Sequence, residues 1–134
     1  MNSIYNALKT DPAAEQDGIV LDFGDFTVTV ARAGGENEKF KKALRRRMDK
    51  HKRAIQFESL PEEVANRILA ECYAEAVVLG WEGVCDEQGN EIPYSPEACM
   101  KLLQELPEFF ATIREEASKI SNFLVAKRKA TAGN

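Results

Sequence analysis

Ile19-Val-Leu-Asp-Phe-Gly-Asp-Phe-Thr-Val-Thr-Val30 carries apolar residues at every second position on both sides of Gly24-Asp25. Alternation with period two is the signature of a half-buried strand, and a two-residue Gly-containing centre is hairpin turn chemistry. With Gly24-Asp25 as the loop, Phe23 falls opposite Phe26, Leu21 opposite Val28, and Ile19 opposite Val30, so all six share one face. Val20 and Asp22 then lie against Thr27 and Thr29 on the other face, which suits solvent. Pattern and turn select the same register. Two strands are marginal alone, so this hairpin, placed at residues 18–32, must lie on an apolar partner.

Working outward, the partner reads as helical. Gly34-Gly35 ends the second strand, and Glu36 or Asn37 can cap a helix over residues 37–55 with Phe40, Leu44, Met48 and Ile55 at near-helical spacing. Ser59-Leu-Pro-Glu62 has the form of a capping box opening a second helix. Its core stripe is Val64, Ile68, Leu69, Cys72, Ala76 and Leu79, and Gly80 is its expected left-handed C-cap. A turn-dense insert follows at residues 79–98 and holds the only Trp. Gly89-Asn90 supplies a turn there, and Pro93 forces Ile92 extended. Ser95-Pro96-Glu97 starts a third helix over residues 96–105. Pro107 breaks that helix and can open a fourth, through Phe109, Phe110, Ile113, Ala117, Ile120, Phe123 and Leu124. The fold class is mainly α (α+β): a four-helix domain with an N-terminal β-hairpin. Residues 1–17 read as a mobile arm with one helical turn near Ile4, residues 18–126 as the domain, and residues 127–134 as a flexible tail.

Composition narrows the function classes. A chain of 134 residues, 44% hydrophobic and 30% charged, suits one core, since two domains would each be too small. No apolar run approaches the roughly 20 residues of a membrane helix. The N-terminus lacks the basic-then-apolar order of a signal peptide, so a cytoplasmic protein is expected. Cys72, Cys85 and Cys99 are far apart and His51 is the lone histidine, which leaves no close ligand pair for zinc. Residues 86–91 lack the alternating oxygen ligands of a calcium loop. No nucleophile elbow, oriented histidine or Gly-rich phosphate cradle is present. Enzyme activity, metals and cofactors are therefore not expected.

Two features point to partners instead. Lys39, Lys41, Lys42, Arg45, Arg46, Arg47, Lys50, Lys52 and Arg53 put half of the 18 basic residues on the first helix of a chain with net charge -4. Such a face attracts phosphate or an acidic protein; equally, it is a solvated face offsetting an acidic molecule. No stacking aromatic or Asn/Gln reader is interleaved, so an acidic protein surface fits better than nucleic acid. Arg45, Arg46 and Lys50 are its candidate contacts. Within the insert, Trp81 and Tyr94 flank the turn at Asp86 to Asn90 as candidate anchors, or as plugs closing the helical core. Phe109 and Phe110 cannot both face one way; Phe110 is placed at the core margin, where it joins a client-binding patch or a wider core stripe.

The pieces Gly-Trp-x-Gly-Val at 80–84, Asp-Glu-x-Gly at 86–89, Pro-Tyr-Ser-Pro-Glu at 93–97 and Glu-Leu-Pro at 105–107 resemble the tail assembly chaperones of long-tailed (siphophage-type) bacteriophages. The resemblance takes in residues 30–37 and 102–110 as well, about three quarters of the chain. It implies a non-enzymatic factor that binds the tape measure protein, keeps it soluble and helps recruit tail tube protein, the latter through a longer frameshifted form continuing from residues 127–134. It further implies action in the host cytoplasm and absence from the mature virion. Self-association through the hairpin edge or the basic helix stays open, with the hairpin edge ranked first. Two alternatives stand beside this: a small nucleic-acid-binding regulator acting through residues 39–53, and a structural tail or head-completion subunit.

Overall fold

The computed structural model describes residues 3–125; the tail read at residues 127–134 lies outside them. In chain order the elements are α1 (Ile4–Leu8), α2 (Pro12–Asp17), β1 (Ile19–Asp22), β2 (Thr27–Val30), α3 (Glu38–Lys50), α4 (Lys52–Gln56), α5 (Glu62–Ala76), β3 (Val78–Glu82), α6 (Pro96–Glu105), α7 (Pro107–Ser118) and a 3-10 turn at Ile120–Phe123. Four principal helices, α3, α5, α6 and α7, carry a small antiparallel sheet of order β1-β2-β3. The mainly helical class with an N-terminal hairpin is thus present.

The hairpin pairs Ile19 with Val30, Val20 with Thr29, Leu21 with Val28 and Asp22 with Thr27, the register that alternation predicts. Gly24 takes φ +94, the left-handed value required at the first loop position of a II′-type turn. Val28 and Val30 are fully buried, whereas Val20 is 64% exposed, so one sheet face meets the helices and the other meets solvent.

The second helix is shorter than its periodicity suggests. It stops at Ala76, and Val78–Glu82 forms β3 against β2, pairing Val30 with Val78 and Val28 with Trp81. A bulge between Thr29 and Val30 turns Leu79 outward and lets both Val78 and Trp81 face the core. Residues 77–79 satisfy either a helical stripe or a strand; the unpaired backbone of β2 decides for the strand. Gly80 is consequently not a cap. It has no left-handed φ and sits opposite Thr29, with nothing within 4 Å of a built Cβ. Gly80→Thr should therefore hold or raise the thermal midpoint, gaining on the order of 0.5–1 kcal/mol from a stiffer strand and a cross-strand threonine pair. A loss of about 1 kcal/mol or more would restore the cap.

Other local expectations shift for similar reasons. The Ser59 capping box does not form, because Ser59 Oγ donates to Ala54 O at the end of α4 and Pro61 occupies the cap position of α5. His51 divides the first helix into α3 and α4, and Met48 faces outward while Phe40 and Ala43 take the core side. The last helix ends at Ser118; the 3-10 turn then carries Phe123 into full burial, fixed by Asn122 Nδ2 donating to Glu116 O and Oε2. Ser95 caps α6 by accepting from Ala98 N, and Pro107 opens α7, both as read.

Residues 3–17, read as an arm, form two short helices, and α2 is docked on the body. Glu15 on α2 is fully buried. The core itself joins sheet and helices through Val28, Val30 and Val78 against Cys72, Tyr73, Leu103 and Ile113. Tyr73 lies edge-on to Phe40 and Phe110, with ring centroids 5.5 and 5.4 Å apart, tying α3, α5 and α7 together.

Candidate partner-binding surfaces

The basic helix splits into two populations. Arg46 Nη2 donates to both carboxylate oxygens of Glu75 at 2.8 Å, while Arg47 donates to Glu71 at 3.0 Å and to Glu75 at 3.1 Å. Burial alone would raise the Glu75 pKa, but bonds from Arg46 and Arg47 outweigh it and hold the carboxyl below its ordinary value. These pairs bind α3 to α5, so Arg46 is spent partly on the fold. Arg45 and Lys50 remain exposed and form no ion pair among the described residues. A hollow of about 710 Å³ beside Arg47 is lined by charges of both signs, of which Arg47, Glu71 and Glu75 belong to these pairs.

Trp81 and Tyr94 are placed inward. Trp81 is 9% exposed and its Nε1 donates to Ile92 O at 2.8 Å; Tyr94 OH donates to Val78 O at 2.7 Å. Their rings meet edge to face at 5.1 Å. Together they strap residues 92–94 over the outer edge of β3. Burial, with Cys99 and Glu97 adding, pushes the Tyr94 pKa up to about 12, so it remains a donor throughout the neutral range. Burial likewise pushes the Cys99 thiol up to about 12, which keeps it unreactive.

Phe110 is buried at 7% exposure, a correction to its marginal placement. The guanidinium of Arg114 covers its ring at 4.6 Å. Phe109 takes the margin instead, edge-on to the stacked Phe23 and Phe26 of the hairpin turn. A helical wheel separates the two phenylalanines by about 100° but cannot choose between them; the hairpin aromatics do.

Exposed apolar surface lies where the sequence reading placed little. In α1, Ile4, Tyr5 and Leu8 are 68%, 76% and 55% exposed, and none of its residues is buried. The signal was present in Ser3, whose side chain accepts from Asn6 N as a cap, and in the i, i+4 spacing of Ile4 and Leu8. A second feature is a groove of about 780 Å³ along β1, floored by Ala13, Thr112 and Leu124 and rimmed by Asp17 and Asp22.

Glu15 ties α2 to the segment between β2 and α3. Its Oε2 accepts from Glu36 N at 2.6 Å and from Arg32 Nη1 at 3.3 Å, and Arg32 N donates to Glu15 O. Burial pushes this carboxyl up, yet the Thr10 hydroxyl, the Glu36 amide and the Arg32 guanidinium outweigh it and leave the pKa below the ordinary 4.5. A depressed carboxylate contributes stability that is complete above the unfolded value and is lost as pH falls through the folded one. Chemical denaturation midpoints should drop below about pH 4.5 in the native chain, and Glu15→Gln should flatten that drop. Parallel pH profiles for the two would refute the assignment.

Among the described residues no cluster of three or more His, Cys, Asp or Glu could hold a metal, and no helix is long and apolar enough to cross a membrane. The family model described as YdaY prophage protein matches residues 35–134, three quarters of the chain. The chain belongs to the YdaY prophage protein family. No curated protein and no solved structure matches it. Membership of the YdaY family makes this a phage-derived protein. The matched region starts at Gly35, beside the Glu15 carboxylate, and contains α3 to α7 and β3.

Proposed function

We propose that this YdaY-family chain is a phage tail assembly chaperone that works without catalysis. It binds the tape measure protein, keeps that long helical chain soluble and helps bring tail tube subunits to it. The observation that carries the reading is the uncovered apolar turn of α1, where Ile4, Tyr5 and Leu8 stand in solvent on a folded body. A short amphipathic turn of this kind can lie along the apolar stripe of a helical client and compete with its self-association. Many copies along one filament need only weak individual contacts, because avidity multiplies them. The resemblance at residues 80–97 and the phage origin of the family support the same reading.

Co-expression with the tape measure protein of the same phage tests it. A soluble complex is expected, and unchanged client solubility with no complex would end the proposal. Ile4→Lys combined with Leu8→Lys should abolish client solubilisation while moving the stability of the chain by less than about 0.5 kcal/mol, since neither side chain is buried.

A further inference from the structure

We propose that the open edge of β1 is a docking groove for an extended segment of a partner protein in which small apolar and basic residues alternate, held by strand addition. This rests on the assembly-factor reading and names how a partner segment is gripped. The two sheet edges differ. At β3 an edge carbonyl is taken, since Val78 O accepts from Tyr94 OH, and the Trp81 side chain holds residues 92–94 beside the strand through Nε1 donating to Ile92 O. Among the described residues β1 has no strand on its outer side, and the space there is the 780 Å³ groove.

The ladder fixes which backbone groups face that groove. Phe23 N donates to Phe26 O, so Phe23, Leu21 and Ile19 occupy the hydrogen-bonded positions of the antiparallel pair with β2. Val20 and Asp22 therefore aim their N–H and C=O groups outward. Groups two residues apart, alternating donor and acceptor, are met by an extended chain and not by a helix.

Side-chain chemistry selects the segment. Among the described residues, those lining the groove include Asp17 and Asp22, both exposed, and no Lys or Arg. The floor, at Ala13, Ala14, Thr112 and Leu124, is uncharged, and Asp11 and Glu116 add further acidic groups to the lining. An added strand would turn alternate residues to that floor and the intervening ones toward Asp17 and Asp22, which calls for small apolar and basic types in turn. Phosphate-rich polymers would be repelled. A second copy of this chain fits poorly, because it would bring its own Asp17 and Asp22 to an edge already lined by the same two acids.

The probe is a fluorescent nonapeptide of alternating lysine and valine, titrated into the full chain, alongside the same peptide N-methylated at alternate amides. Amide exchange is read by NMR. In the free protein the Val20 and Asp22 amides should exchange faster than that of Leu21, and saturation with peptide should slow both. The N-methylated peptide, Asp17→Lys and Val20→Pro should each weaken binding about tenfold or more, and added salt should weaken it further. Retained Leu21 protection shows that Val20→Pro still folds.

Equal binding of the N-methylated peptide, or Val20 and Asp22 exchange unchanged at saturation, would overturn the proposal. So would a dimer that Val20→Pro dissociates. Slow Val20 and Asp22 amides in the peptide-free monomer would mean that the edge is already covered, and would overturn it equally. The titration requires no tape measure protein, so its failure is separable from failure of the chaperone reading.

Discussion

Gly35→Val is expected to destabilise the protein by about 3–5 kcal/mol, lowering the thermal midpoint by roughly 10–20 °C. Gly35 holds φ +55, and a Cβ built there would overlap Glu15 Oε2 and crowd Arg32 Nη1 at 2.7 Å. A β-branched residue is strained at that φ, adding about 1–2 kcal/mol. The larger cost is the displaced carboxylate, which gives up the Glu36 amide and Arg32 together. Arg32 is 22% exposed and recovers some solvation, which keeps the total to single figures. Gly89→Ala is the control: Gly89 has φ +83 with nothing within 4 Å, so only the backbone strain of about 1–2 kcal/mol applies. The mechanism has a sharper check in a double-mutant cycle with Glu15→Ala. If collision with the carboxylate is the cause, the second substitution should add far less than it costs alone. Additive losses would place the damage elsewhere.

Asn37→Ala comes next, with an expected loss of about 3–4 kcal/mol. Asn37 is 4% exposed and its side chain is used three times. Oδ1 accepts from Phe40 N as the cap of α3, while Nδ2 donates to Arg32 O and Ala76 O. One amide thereby joins the start of α3, the strand exit and the end of α5. Truncation removes a cap worth about 1 kcal/mol and strands two carbonyls, each costing on the order of 1 kcal/mol or more. Asn37→Asp separates the two roles. Aspartate caps a helix as well as asparagine, but it has no donor and would aim a carboxylate at two carbonyl oxygens. It should therefore be at least as damaging as alanine. An aspartate variant with native stability would show that the cap alone matters.

Asn37 also illustrates how far the chain is readable. Its capping role was visible, since Asn before a helical pattern after Gly-Gly is a local signal. Its two donations were not, because Ala76 lies 39 residues away. Glu15 was similarly hidden: within an apparently aperiodic N-terminal stretch nothing marks one Glu as buried, and its partners Arg32 and Glu36 are close only after the hairpin folds back. For the candidate contacts, sequence located the charged helix and the aromatic insert. The structure redistributed their roles, drawing Arg46 into pairing with Glu75, seating Trp81 and Phe110 in the core, and leaving Ile4, Tyr5 and Leu8 outside.

Side-chain alternation, turn glycine and capping hydroxyl act over two to four residues. For that reason the hairpin register, the Ser95-Pro96 helix start, the Pro107 break and the mainly helical class follow from the amino-acid order by itself. The third strand, the burial of Glu15 and the choice between Phe109 and Phe110 were settled only in three dimensions. An open strand edge, a buried carboxylate or a gap beside an aromatic ring can be satisfied by any segment that reaches it, and reach depends on how the whole chain is folded.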